Sequence, residues 1–163
     1  MRKLLVALLL LFFAVTAAAD TIVIAVRHAE KADESQDAAL SPEGQKRAEL
    51  LARMLRDAGV AAIYSTPFQR TRNTAAPLAA QLGLRVTEDN AEAPALAKRI
   101  LRENRGKSVL VVGHSNTIPA LLTALGVATP ITIASAEFDN LFVVVVPDRG
   151  KARLVRLRYG FQP

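Results

Sequence analysis

The sequence predicts a three-layer α/β/α sandwich whose sheet is mostly parallel and ends in a C-terminal antiparallel hairpin. Three observations predict it. Short β-branched apolar runs recur at residues 21–26, 60–64, 84–87, 109–112 and 141–146. Between the first four and after the fourth lie stretches with helical start and stop signals, and strands alternating with helices argue for parallel strands joined by right-handed crossovers. The last run is followed by Asp148-Arg149-Gly150 and a strand-like stretch at 151–159, which together read as a hairpin.

The elements follow in order. After the first strand, Ser41 is placed to cap a helix that Pro42 opens; Ala48, Leu51, Ala52 and Leu55 form its apolar stripe, and Gly59 closes it. The second strand leads into a helix over 68–82, with Thr66 as its cap, Pro67 at its opening and Gly83 at its end. Pro77 lies inside this helix and is expected to kink or divide it. A third helix over 94–105 ends at Gly106, and a fourth over 116–125 ends at Gly126. In the last strand Lys151, Arg153, Arg156 and Arg158 change parity, so all four reach water only if the strand bulges near Leu154. A solvated edge strand is the expectation.

Composition bounds the function. A chain of 163 residues that is 51% hydrophobic and 22% charged can bury a sizeable core, which excludes disordered and collagen-like classes. The absence of cysteine excludes thiol catalysis and thiolate metal sites. Arg2 and Lys3 precede an apolar stretch over 4–19 that closes on Ala17-Ala18-Ala19, the pattern of a signal peptide. That stretch falls short of the roughly 20 residues of a membrane span. Residues 1–19 are therefore read as a signal peptide and 20–163 as one exported domain, expected in the periplasm, with membrane attachment only through an uncleaved signal segment. The net charge of +6 favours an anionic partner. The aromatics of the domain are too scattered to stack bases, so nucleic acid is not expected as a partner.

Two histidines exist, and each directly follows an apolar strand: Val26-Arg27-His28-Ala29-Glu30 and Val112-Gly113-His114-Ser115-Asn116. Ligands of parallel α/β sheets sit outside the carboxyl ends of the strands, so both imidazoles are placed at one rim. The helix after the second strand brings Arg70 and Arg72 toward the same rim. Two residues apart on a helix, they point about 200° from each other, so only one can enter the site, and spacing alone leaves the choice open. Arginine, histidine and the free amides of a helix opening at Ser115 and Asn116 all suit an anion, and the expected guest is a phosphate. His28, Glu30, Asp33 and His114 also offer the ligands of a metal site, but a cation beside Arg27 and Arg70 meets repulsion where a phosphate dianion is attracted. No metal and no cofactor are expected.

The ordered set Arg27-His28-Ala29-Glu30, Leu40-Ser41-Pro42-Glu43-Gly44, Ser65 through Thr74 and Gly113-His114-Ser115 resembles the motifs of the histidine phosphatase (phosphoglycerate mutase-like) superfamily. The resemblance implies that His28 is the nucleophile and forms a phosphohistidine, while Arg27, Arg70 and His114 bind the phosphoryl oxygens with Ser115 beside them. It selects Arg70 over Arg72. The family usually carries glycine where this chain has Ala29, and its acid-phosphatase branch carries aspartate where this chain has Ser115. In the mutase-like branch a carboxylate between the second arginine and second histidine protonates the leaving group; here that stretch offers Glu88, Asp89 and Glu92, of which Glu92 is taken as the acid. The resemblance implies a metal-independent phosphatase acting on a small phosphorylated substrate or an envelope phosphate. A phosphate-binding pseudoenzyme and a phosphohistidine phosphatase are the alternatives.

Overall fold

The computed structural model describes residues 19–160. The predicted signal peptide, apart from Ala19, lies outside the described residues. The elements run β1 Thr21–Arg27, α1 Pro42–Leu55, β2 Val60–Ser65, α2 Gln69–Leu82, β3 Val86–Glu88, α3 Ala93–Glu103, β4 Ser108–Gly113, α4 Thr117–Ala124, β5 Asn140–Val146 and β6 Arg153–Arg158. They form one six-stranded sheet in the order β3-β2-β4-β1-β5-β6. The first four of these strands are mutually parallel, β5 runs antiparallel to β1, and β6 runs antiparallel to β5. The predicted fold class is the observed one.

Alternation along each strand sends side chains to opposite faces, and the two cores follow from it. Ile24, Val26, Ile63, Leu110 and Val112 pack under α1 and α2, whose Leu51, Leu55, Ala75 and Leu78 face them. Val23, Ala25, Tyr64, Val109 and Val111 pack on the other face with Ala97 and Ile100 of α3 and Ile118, Leu121 and Leu122 of α4. Strands buried on both faces are the reason their sequences read as continuous apolar runs.

Three local expectations are corrected. Thr66 does not cap α2: Phe68 occupies that position in an extended conformation without a side-chain bond, and the Gln69 amide is satisfied instead by Asp37 Oδ1 at 2.7 Å. Of the kink or division expected at Pro77, the division is absent, since α2 runs unbroken from Gln69 to Leu82. Proline removes the bond to the Asn73 carbonyl, and Asn73 is exposed, so water can replace it. The last strand has no bulge, since β5 and β6 pair without interruption from Asn140 opposite Arg158 to Val145 opposite Arg153. Arg156 and Arg158 stay on the Leu154 face because partners await them there: Asn140 Oδ1 accepts from Arg156 at 2.8 Å, and Glu137 and Asp139 accept from Arg158. Regular pairing then leaves Val155 and Leu157 half exposed on the opposite face.

Candidate active site

Sheet register brings the two histidines together. In the parallel β1–β4 pair Arg27 lies opposite Gly113, so His28 and His114 are the next residue on each strand. The His28 amide donates to the Gly113 carbonyl at 2.8 Å, which continues the ladder one step past the strand ends. A side chain at position 113 would strike Ile118 Cδ1 and Thr117 Oγ1, each 2.8 Å from an ideal Cβ, so glycine lets the opening of α4 close down beside His114. The imidazole centroids are 5.3 Å apart, with the rings inclined at 64°.

Both predicted arginines join them, lining one cavity of about 560 Å³ with Lys31, His28, His114 and Ser115. The Arg27 guanidinium sits 4.0 Å above the Phe138 ring and that of Arg70 4.3 Å above Phe68. Each phenylalanine also contacts a histidine, Phe138 with His28 and Phe68 with His114, so two arginine–aromatic stacks flank the imidazole pair. Backbone carbonyls aim the guanidiniums. Arg27 Nη1 donates to Ala134, Ser135 and Glu137, and Arg70 Nη1 to Gln36 at 2.8 Å. The Nε atoms of both are buried without a partner among the described residues. Arg72 turns away and pairs with Glu88 at 3.3 Å. The reason is visible in Thr74, on the Arg70 face of α2: its hydroxyl accepts from the Ala29 amide at 2.9 Å and so points that face at the histidine segment.

Hydrogen bonding sets the His28 tautomer. Its Nδ1 lies 2.8 Å from the Ala29 carbonyl, and a carbonyl only accepts, so Nδ1 carries the proton and the Nε2 lone pair is free. Burial pulls the His28 pKa down to about 4; the Ala29 carbonyl opposes this, and Arg27, His114 and Arg70 add to it. Burial, then Arg70 and Arg27, likewise lower His114 to about 4. Both rings are neutral at pH 7. His114 Nε2 lies 3.0 Å from Thr66 Oγ1, a hydroxyl that can serve either tautomer. Thr66, which spacing assigned to a helix cap, thus orients the second histidine instead. The Ser115 and Asn116 amides at the opening of α4 make no bond within the described residues, and both residues line the same cavity.

The segment carrying His28 is clamped from α1. Arg47 grips both carboxylate oxygens of Glu30, with contacts of 2.7 to 3.0 Å, and donates to the Tyr159 carbonyl at 2.8 Å. The Ser41 amide donates to the Glu30 carbonyl at 3.0 Å. Ala29 is fully buried against Leu40 and Ala48, and no residue other than glycine has a positive φ among those described, so the extra methyl group packs without strain. The sequence carries no signal for Arg47 or Gln36, and it marks Thr66 only as a helix cap.

Glu92 does not line the cavity of the two imidazoles; it sits ahead of α3 and lines an adjoining cavity. Neither aspartate nor glutamate lines the first cavity. Of the metal-ligand alternative, Glu30 is held by Arg47 and Asp33 accepts from the Ser35 amide, so neither joins the imidazoles. Among the described residues no group of three or more His, Cys, Asp or Glu side chains is placed to hold an ion, and no helix is long and apolar enough to cross a membrane.

Residues 23–93 match the family model of the histidine phosphatase superfamily, branch 1. A search of curated proteins finds no match. Among solved structures, the protein histidine phosphatase SixA complexed with tungstate aligns at a TM-score of 0.71 and 19% identity, covering 84% of this chain and 96% of that one. The Entamoeba histolytica phosphoserine phosphatase in complex with 3-phosphoglyceric acid aligns at 0.67 and 16%, covering 86% and 98%. A mycobacterial glucosyl-3-phosphoglycerate phosphatase aligns at 0.66 and 16%, covering 83% and 97%. Residues 23–93 are thus similar to the histidine phosphatase superfamily, and the solved phosphatases share the fold of this chain.

Proposed function

We propose that this chain is a metal-independent phosphatase that hydrolyses phosphate monoesters through a phosphohistidine on His28. The observation that carries the reading is a neutral imidazole with its proton committed to the Ala29 carbonyl and its other nitrogen free, beside a second imidazole and two guanidiniums. In the first step the Nε2 lone pair attacks phosphorus, the N–P bond forms, and the bond to the leaving oxygen breaks with its electron pair. Arg27, Arg70, His114 and the Ser115 amide hold the phosphoryl oxygens, while the Ala29 carbonyl faces the positive charge that develops on the ring. In the second step water attacks phosphorus, the N–P pair returns to His28, and the water's proton passes to phosphate or solvent. The cationic lining of Arg27, Lys31 and Arg70 supports a reaction without metal, because it supplies the charge a cation would otherwise bring.

Glu92 lines the adjoining cavity and not that of the imidazoles, so its role as the acid is confined to a leaving group that reaches that cavity. A cavity lined by no carboxyl group favours substrates whose leaving group departs without protonation, which supports the phosphohistidine phosphatase alternative beside monoesters of acidic alcohols. The apolar segment over 4–19 supports export to the periplasm, where sugar, nucleotide or envelope phosphates are the candidates. Acid-quenched reaction with a labelled phosphate donor tests the proposal. An adduct stable to base and labile to acid, absent in His28→Ala, with turnover that survives a chelator, is expected; tight phosphate binding without adduct or turnover would establish the pseudoenzyme.

A further inference from the structure

A second cavity of about 230 Å³ adjoins that of the two imidazoles. Thr66, Asn90, Asn116 and Thr117 line both, so the two share a wall. The second is built differently. Val111, Ile118, Leu121, Ala93 and Leu96 give it an apolar floor and side, all drawn from the core between the sheet and helices α3 and α4. Its rim carries Asp89 and Glu92. Asp89 is already committed, with Arg99 Nη1 at 2.7 Å and the Ala91 amide at 2.7 Å. The Glu92 carboxylate is exposed and has no partner among the described residues. The two cavities therefore differ in sign, cationic around the imidazoles, and beyond them apolar at the floor with polar walls and a carboxylate at the rim.

Position gives this difference its meaning. His28 stands at the end of β1, and the second cavity lies over the ends of β4 and β2, the next two strands on one side. At about 4.8 Å between strands, the middle of that pair is about 7 Å from β1. Phosphoryl transfer proceeds with attacking and leaving atoms roughly in line, so a group leaving from a phosphate attacked by His28 departs on the side opposite that imidazole. At about 30 Å³ per water-sized group, the second cavity holds on the order of eight heavy atoms.

We propose that this second cavity is the leaving-group subsite, that it takes an apolar body of about eight heavy atoms ending in a cation or a neutral hydrogen-bond donor, and that it disfavours one ending in a carboxylate. The assignment rests on the phosphatase reading of the His28 site and adds a substrate class to it.

Phosphonates test it, because their carbon–phosphorus bond is not hydrolysed and binding is read apart from turnover. Calorimetry with methylphosphonate, benzylphosphonate, 4-(aminomethyl)benzylphosphonate and 4-carboxybenzylphosphonate gives the comparison. Benzylphosphonate is expected to bind about tenfold more tightly than methylphosphonate, and the amine to bind about fivefold more tightly than the carboxylate. Ala93→Phe should erase the benzyl advantage, read as a ratio to methylphosphonate within the same variant. Glu92→Lys, at an exposed position, should reverse the order of amine and carboxylate. A benzyl group worth nothing, an order that survives both substitutions, or binding of none of the four ligands overturns the subsite. Loss of the phosphohistidine adduct with the phosphonate pattern intact would instead refute the hydrolase and leave the subsite standing.

Discussion

Gly44→Ala isolates the contact by which α1 positions the nucleophile segment. Gly44 lies in the first turn of α1, where alanine alone would favour the helix by about 1 kcal/mol. An ideal Cβ there stands 2.3 Å from the Glu30 carbonyl oxygen, 3.0 Å from its nitrogen and 3.1 Å from its carbonyl carbon, all backbone. Ordinary contact begins at 3.4 Å, so helix and strand-end segment must separate by about 1 Å. Overpacking of this kind costs about 1–3 kcal/mol, which leaves a net loss of about 0–2 kcal/mol after the propensity gain, or up to about 6 °C in Tm. The kinetic effect is larger in proportion. His28 is two residues from Glu30, and misplacing a reacting atom by about 1 Å costs about 100-fold in rate. Thermal unfolding and single-turnover formation of the adduct measure the two terms: a small fall in Tm with a loss of about 100-fold in kcat is expected. A variant with raised Tm and unchanged kcat would show that the α1 contact does not position His28.

Two further predictions rest on charge. Arg47→Met leaves the Glu30 carboxylate without the guanidinium that grips both its oxygens, and breaking a largely buried pair costs about 3–5 kcal/mol, or about 10 °C in Tm; the double variant Arg47→Met with Glu30→Leu should recover most of that loss in thermal unfolding. The two imidazoles have pKa values depressed from 6.5 to about 4, so NMR titration of the free protein should show both rings neutral until pH falls toward 4. Because the unfolded chain takes up these protons near 6.5, stability present above that pH should fall as pH drops through 6.5 toward 4. Phosphate should raise both midpoints by its charge. Midpoints near 6.5 without phosphate would mean that the rings are solvated and that the site is not built as described.

Much of this arrangement was legible in the chain because its causes are local or periodic. Apolar runs marked the strands, and two histidines each directly after such a run had to share the carboxyl rim of the sheet; register then made them neighbours. The choice between Arg70 and Arg72 needed something spacing does not contain, the bond from the Ala29 amide to Thr74 across 45 positions. The groups that aim Arg27 are main-chain carbonyls 107 to 110 positions away, and a carbonyl belongs to every residue, so it leaves no trace in residue types. Thr66 misled for a related reason: threonine before proline is a sound cap signature, but its hydroxyl found an imidazole 48 positions away and a distant aspartate took over the cap. Glu92 stands out from a stretch of acids only by its position between two motifs, and which cavity wall a loop joins is decided by packing of α3, not by that order.

The geometry also explains why the arginines are useful before any phosphate arrives. A nucleophilic imidazole must be neutral and must keep its lone pair on the nitrogen that faces the substrate. Protonating His28 would place a third cation beside Arg27 and Arg70 in a buried site, and its lowered pKa shows that this is opposed. Moving the proton from Nδ1 to Nε2 would cost the bond to the Ala29 carbonyl, and that peptide cannot turn freely, since its alanine is anchored by Thr74 on one side and packed on Leu40 and Ala48 on the other. Both ways of losing the nucleophile are therefore blocked. A phosphate dianion reverses the field, cancelling the arginine charge and making Nε2 more basic at the moment it faces phosphorus. The same two guanidiniums thus keep the ring unprotonated while it waits and cease to oppose its attack once the substrate is bound.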